Sequence, residues 1–164
     1  MSELSLSGTE MLAWVDATSE GWRQLLEEHP ELLALPCDVA DVTTAGELLR
    51  HIVAVELRYA ERLAGLPATD YAMIPFHSAE AIYTTHARAM ELLRAQLNSD
   101  VNWVEQIEFV TRRLGPARSS RKTVFFHALL HSIRHYAQLA TLVRQHGVKP
   151  EWPMDYFFME LSRA

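Results

Sequence analysis

Three histidines, His127, His131 and His135, fall four residues apart in a mostly apolar run from Thr123 to Gly147. A helix turns about 100° per residue, so each step of four advances a side chain only about 40°. The imidazoles therefore form one slightly slanted stripe on a single helix face. Polar groups on a buried face cost free energy unless something pairs with them. A metal ion is one such partner, because imidazoles four residues apart can reach a single ion from one helix. Two core histidines hydrogen-bonded to neighbours have the same spacing, and His131 and His135 alone fit either description. A third imidazole, His51, lies at the edge of the apolar face of an earlier helix, and facing helices can bring it to the same point. Three imidazoles suffice for a divalent first-row metal, with positions left for water or substrate. The zinc-protease pattern needs a glutamate directly after the first histidine of the pair, and Ser132 stands there, so a metalloprotease does not fit.

Helices must position these residues, and the sequence marks four. Ser7 and Glu10 have capping-box spacing, which predicts a first helix from near Thr9 to His29-Pro30. Met11, Val15, Trp22, Leu25 and Leu26 give it one apolar face. Helical character resumes briefly through Leu32-Leu33, and Pro36 to Val42 reads as a connection. Thr44 and Glu47 repeat the capping spacing and open a second helix to about Ala64, before the stop pair Gly65 and Pro67. Its inward face carries Leu48, Ile52, Val55, Tyr59 and Leu63. The third helix extends from about His77 to Leu97, striped by Ile82, Ala89, Leu92, Leu93 and Leu97. Residues 101–118 are the least helical. Val101, Trp103, Ile107 and Phe109 alternate imperfectly there, Gly115-Pro116 makes a turn, and the stretch reads as a long ordered connection with room for a short extended piece.

The fourth helix starts near Ser119 or Ser120 and ends at Gly147. Phe125, Leu129, Ile133, Tyr136 and Val143 lie roughly opposite the histidine stripe, so the helix is apolar on two sides and must bury both. The core covers one side. A second subunit, or the aromatic-rich segment Trp152 to Leu161, covers the other. Four amphipathic helices predict an all-α fold, a four-helix bundle with a long connection before its fourth helix.

At 164 residues the chain fits one domain, residues 1–164, with 49% hydrophobic and 22% charged residues in an ordinary globular balance. A net charge of −6 offers no general attraction to phosphates, which argues against nucleic acid as a principal partner. The short basic run from Arg112-Arg113 to Lys122 is broken by Gly115-Pro116 and reads as a solvated connection. One cysteine, Cys37, precludes an intramolecular disulfide and suits a reducing compartment. The start MSELSLSGTE has no signal-peptide character, and no run is apolar enough to span a bilayer. The expected location is cytoplasmic, without a membrane partner.

The segment HALLHSIRHYAQLATLVRQHG, together with LLRHIVAVELRYAERLAG about eighty residues earlier, resembles the DinB/YfiT-like superfamily. The likeness covers Thr9 to about Tyr156 in helix order and lengths. Its specific part is one histidine in the second helix and the pair His-x3-His in the fourth. The resemblance implies a metal-binding four-helix bundle, often dimeric, with His51, His131 and His135 as ligands. It also implies zinc or nickel as the usual metal, with iron or cobalt compatible with the same donors. Gln138 keeps a glutamine found three places after the last ligand. Tyr136-Ala137 and Ser132 depart from the frequent Arg-Gly and acidic residue at those places.

Around that triad stand candidate supporting residues. His127 continues the stripe as a fourth ligand, an outer donor or a wall of the core or pocket. Glu47, one turn before His51, is a capping residue or an orienting carboxylate. Arg134 is a surface ion-pair residue or a hold for an anionic substrate group. Trp103, Glu105 and Glu108 could border the open metal positions. Cys37 reads as a buried small hydrophobe, and His29, His77, His86 and His146 as residues of helix ends or polar faces. The superfamily includes thiol-dependent transferases, so the implied function is a metal-dependent enzyme acting on a small electrophile, with a low-molecular-weight thiol or water as nucleophile. The alternative is a non-catalytic metal- or small-molecule-binding dimer in stress response.

Overall fold

The computed structural model describes residues 5–111 and 114–162, so the Arg112-Arg113 end of the basic run lies outside the described residues. Four long helices dominate: α1 (Gly8–Glu28), α2 (Ala45–Leu63), α3 (Ala79–Leu97) and α4 (Arg121–Gln145). Each starts where a side chain takes up an orphan amide of the first turn. Ser7 and Glu10 form the full capping box of α1. Thr44, Ser78 and Ser120 accept from the amides of Glu47, Ala81 and Thr123 at the starts of α2, α3 and α4. The third helix thus begins two residues later than His77. Gly65, at φ +71°, follows the end of α2 where a left-handed residue is needed.

The all-α expectation needs correcting, because the fold is mostly α with two small antiparallel sheets. β1 (Pro36–Val39) pairs with β2 (Val42–Thr44), inside the stretch expected to be a plain connection. β3 (Gln106–Thr111) and β4 (Gly115–Ser120) form a hairpin with Gln106 opposite Ser120 and Thr111 opposite Gly115. Of the residues that alternate imperfectly, Ile107 and Phe109 lie in β3, while Val101 and Trp103 precede it. Along β3, Ile107 and Phe109 turn inward while Glu108 and Val110 face outward.

α2 packs on both α3 and α4, and α1 packs on the same two helices. One buried cluster gathers Trp22, Leu48, Leu49, Ile52, Ile82, Tyr136 and Val143, and a second gathers Met11, Val15, Leu63, Met90, Leu93, Phe125 and Leu129. Because α2 is covered from two sides, its buried arc is centred on Leu49, Val53, Glu56 and Ala60. Val55 and Tyr59, expected on the inward face, are only half-buried and lie beside the histidines instead. Residues Trp152 to Tyr156 dock on α1: the Trp14 Nε1–H donates to Met154 O at 2.8 Å, and the Trp152 and Trp22 rings meet edge-on at 5.1 Å. Gly21 makes this possible, since a Cβ there would come within 2.2 Å of the Trp152 ring. No described helix is long and apolar enough to cross a membrane.

Candidate metal centre

His51 on α2 meets His131 and His135 on α4, and one ring nitrogen of each lies within 4.8 Å of the other two. Long-range packing of α2 on α4 does this, not local geometry, because His51 and His131 are 80 residues apart in the chain. His131 and His135 are buried and His51 is half-buried. His51 Nε2 lies 3.1 Å from His131 Nε2. Two nitrogens bound to one tetrahedral ion at 2.0–2.1 Å stand about 3.3 Å apart. The ring centroids are 4.8 Å apart for His51 and His131, 5.0 Å for His51 and His135, and 4.4 Å for His131 and His135.

The hydrogen bonds fix which nitrogens face inward. His135 Nδ1 lies 2.7 Å from Gln138 Oε1, a carbonyl oxygen that can only accept, so Nδ1 carries the proton and Nε2 holds the lone pair. Gln138 thereby does for His135 what the carbonyl or carboxylate partner of a metal-bound histidine does. An Arg134 guanidinium N–H donates to that Nε2 lone pair at 3.1 Å, a cation standing where the donor set would take one. His131 Nδ1 is buried with no hydrogen-bond partner among the described residues. Burial, with His135, His51, His127 and Arg134 adding positive repulsion, pushes the His131 imidazole down to about 2, so it is neutral at ordinary pH. Burial likewise lowers His135, with Gln138 opposing it and Arg134 reinforcing it. Neutral imidazole is the form that binds a divalent cation, burial pushes His131 and His135 toward it, and the three converging side chains fit such an ion.

Comparison with known families matches the DinB family model to residues 1–162. The chain belongs to the DinB family. No curated protein matches it at a significant level. In this DinB chain the two departures at Ser132 and Tyr136 face away from the histidine point. Ser132 Oγ donates to Glu56 Oε1 at 2.6 Å, and Tyr136 OH pairs with Ser19 Oγ at 3.2 Å beneath the stacked Trp22 ring.

The supporting residues divide. His127 is exposed, not a core residue, and its ring meets Tyr59 at 5.2 Å and His131 at 5.6 Å, as a wall beside the triad. The Glu47 carboxylate accepts from the amide and hydroxyl of Thr43, at 2.7 and 2.8 Å, and its place is at the helix start. Trp103, Glu105 and Glu108 do not border the triad. Trp103 packs on Phe125, Glu105 pairs with Arg121, and Glu108 is exposed on β3. A pocket of about 100 Å³ opens beside His51 and is lined by Arg58, Tyr59, Arg62, Tyr71 and Thr111, among others. The spacing of His51, Val55, Arg58 and Arg62 by four, three and four residues was the available signal for it.

His86 also needs correcting. It is buried, and its Nδ1 lies 2.7 Å from Glu56 Oε2 while its Nε2 lies 3.6 Å from Asp16 Oδ1. Burial alone would lower this imidazole. The Glu56 charge, the nearby Asp16 carboxylate and the hydrogen bond that His86 donates to Glu56 outweigh it and raise it to about 9. Cys37 is the buried small hydrophobe expected, its thiol raised chiefly by burial.

Proposed function

We propose that the chain is a divalent-metal-binding four-helix bundle of DinB/YfiT-like type that uses the metal to activate a thiol or a water against a small electrophile. The observation that supports this is the convergence of three imidazole nitrogens from two helices within 4.8 Å. When bound, a divalent cation supplies Lewis acidity, which lowers the pKa of a coordinated thiol or water toward neutrality. The chain's own residues do the rest. His51, His131 and His135 would hold the cation, Gln138 fixes the proton of His135 on Nδ1, and burial favours the neutral form of His131 and His135. Arg134, whose guanidinium reaches His135 Nε2, would give up that lone pair to a bound cation and would then be free to hold negative charge at the rim.

Zinc or nickel is the proposed metal, and iron or cobalt would suit the same donors. The proposed partners are a small electrophilic molecule, a low-molecular-weight thiol and a second copy of the chain. Light scattering tests the last. The test of activity is turnover by metal-loaded against chelated protein, with several thiols and a generic electrophile. The reading expects turnover only in the loaded form and its loss in His131→Ala. Equal rates in both forms would overturn it. One observation favours a binding-only role instead: among the described residues the ligand cluster holds three histidines and no carboxylate to serve as an adjacent base.

A further inference from the structure

The pocket beside His51 contains two arginines, Arg58 and Arg62, and no carboxylate among its lining residues. In a chain of net charge −6 this local excess of positive charge is not a by-product of general basicity. Arg62 is already engaged. Its guanidinium donates to Val110 O at 2.8 Å and lies over the rings of Tyr59, at 4.8 Å, and Phe109, at 5.2 Å. Burial, with the Arg58 charge adding to it against Tyr59, lowers Arg62 from its ordinary value. Arg58 differs. Its Nε–H is buried and has no hydrogen-bond partner among the described residues, and no ion pair of its side chain occurs there. A buried guanidinium donor without an acceptor is costly and calls for one from outside the chain.

We propose that this pocket binds the oxyanion head group, carboxylate or phosphate, of a small substrate, with Arg58 as its anchor and His51 at its edge. This rests on reading the histidine triad as the reaction centre, which the pocket adjoins through His51. A volume of about 100 Å³ suits one such head group and leaves the remainder of the molecule outside. The guanidinium fork offers paired N–H donors to two oxygens of a carboxylate or phosphate, the geometry in which arginine exceeds lysine. Arg62 holds the β3 wall of the pocket through Val110 and adds field without needing to touch the anion.

The test titrates wild type, Arg58→Gln and Arg58→Lys with inorganic phosphate and, separately, with acetate, each with metal loaded and after chelation. Binding is read by calorimetry and by the Arg58 Nε–H resonance in nitrogen-edited NMR, with helical content checked by circular dichroism. The expected result is saturable binding of at least one anion that shifts the Arg58 resonance. Arg58→Gln should weaken it about tenfold or more, Arg58→Lys less, and neither should change metal stoichiometry. Response to acetate alone identifies a carboxylate, and to phosphate alone a phosphoryl group. Arg58→Gln binding both anions as wild type does, or an unmoved Arg58 resonance, would overturn the proposal. Metal bound without anion defeats this inference only, and anion bound without metal defeats only the metal reading.

Discussion

At the residue scale, the centre is a competition for lone pairs. Arg134 donates to His135 Nε2, so its charge opposes any cation taking that nitrogen. Arg134→Ala should therefore tighten metal binding, by about three- to tenfold at low salt, as read by competition with a chromogenic chelator. Weaker binding in that variant would contradict this placement. His86 makes a prediction about pH. Its folded value, about 9, stands above the ordinary 6.5, so protonation favours the fold. The groups facing it are Glu56 from α2 and Asp16 from α1, the latter also paired with Arg94 of α3. Its contribution is complete below about pH 6.5 and disappears as pH rises through about 9, with a size on the order of 3 kcal/mol. Denaturant unfolding at pH 6 and pH 9.5 should show that fall in wild type and a smaller one in His86→Gln. Neither partner of this pair was legible in the sequence, because a glutamate amid apolar neighbours on α2 says that it needs a counter-charge without saying where. His86 falls 30 residues away on another helix, and only the packing of α2 on α3 joins them.

At the element scale, the helices were legible because their signals are local: Ser7, Thr44 and Ser120 each cap an amide three residues on. Ser78 does the same for α3, whose expected start near His77 rested on no capping signal. The β3–β4 hairpin was not, since its pairing partner lies across a turn and only Ile107 and Phe109 carry the alternation inward. Gly21 illustrates the same limit. In the sequence it is a poor helix residue, and its reason is the Trp152 ring lying against it from over a hundred residues away. Gly21→Ala gains helix propensity of up to about 1 kcal/mol but forces the ring away, at about 1–3 kcal/mol for overpacking. We expect net destabilisation in urea, with a red-shifted tryptophan emission as Trp152 leaves its seat. A stabilised variant with unchanged emission would show that the C-terminal segment is not held there.

For the whole molecule, a site assembled from α2 and α4 ties the two helices together, so an ion that binds only the folded state must stabilise it. Zinc or nickel at about 100 times its dissociation constant should raise the melting temperature by on the order of 5–10 °C. The triad was legible as three candidate positions because helical spacing and resemblance both mark them, whereas Gln138 was marked by resemblance alone and the hydrogen bond it accepts from His135 emerged only in the structure. The pocket at Arg58 and Arg62 was not, because its walls come from α2, the turn at Tyr71 and the hairpin, which no single stretch of sequence brings together.

The most direct measurement is a cobalt(II) titration of chelated protein, followed by its visible ligand-field bands, for wild type and for His51→Ala. The convergence of α2 and α4 predicts one equivalent in wild type with the bands of a four- or five-coordinate nitrogen site. His51→Ala should lose at least about tenfold in affinity while keeping its helical circular dichroism. Absence of saturable binding in wild type, or the same affinity and bands in His51→Ala, would contradict it.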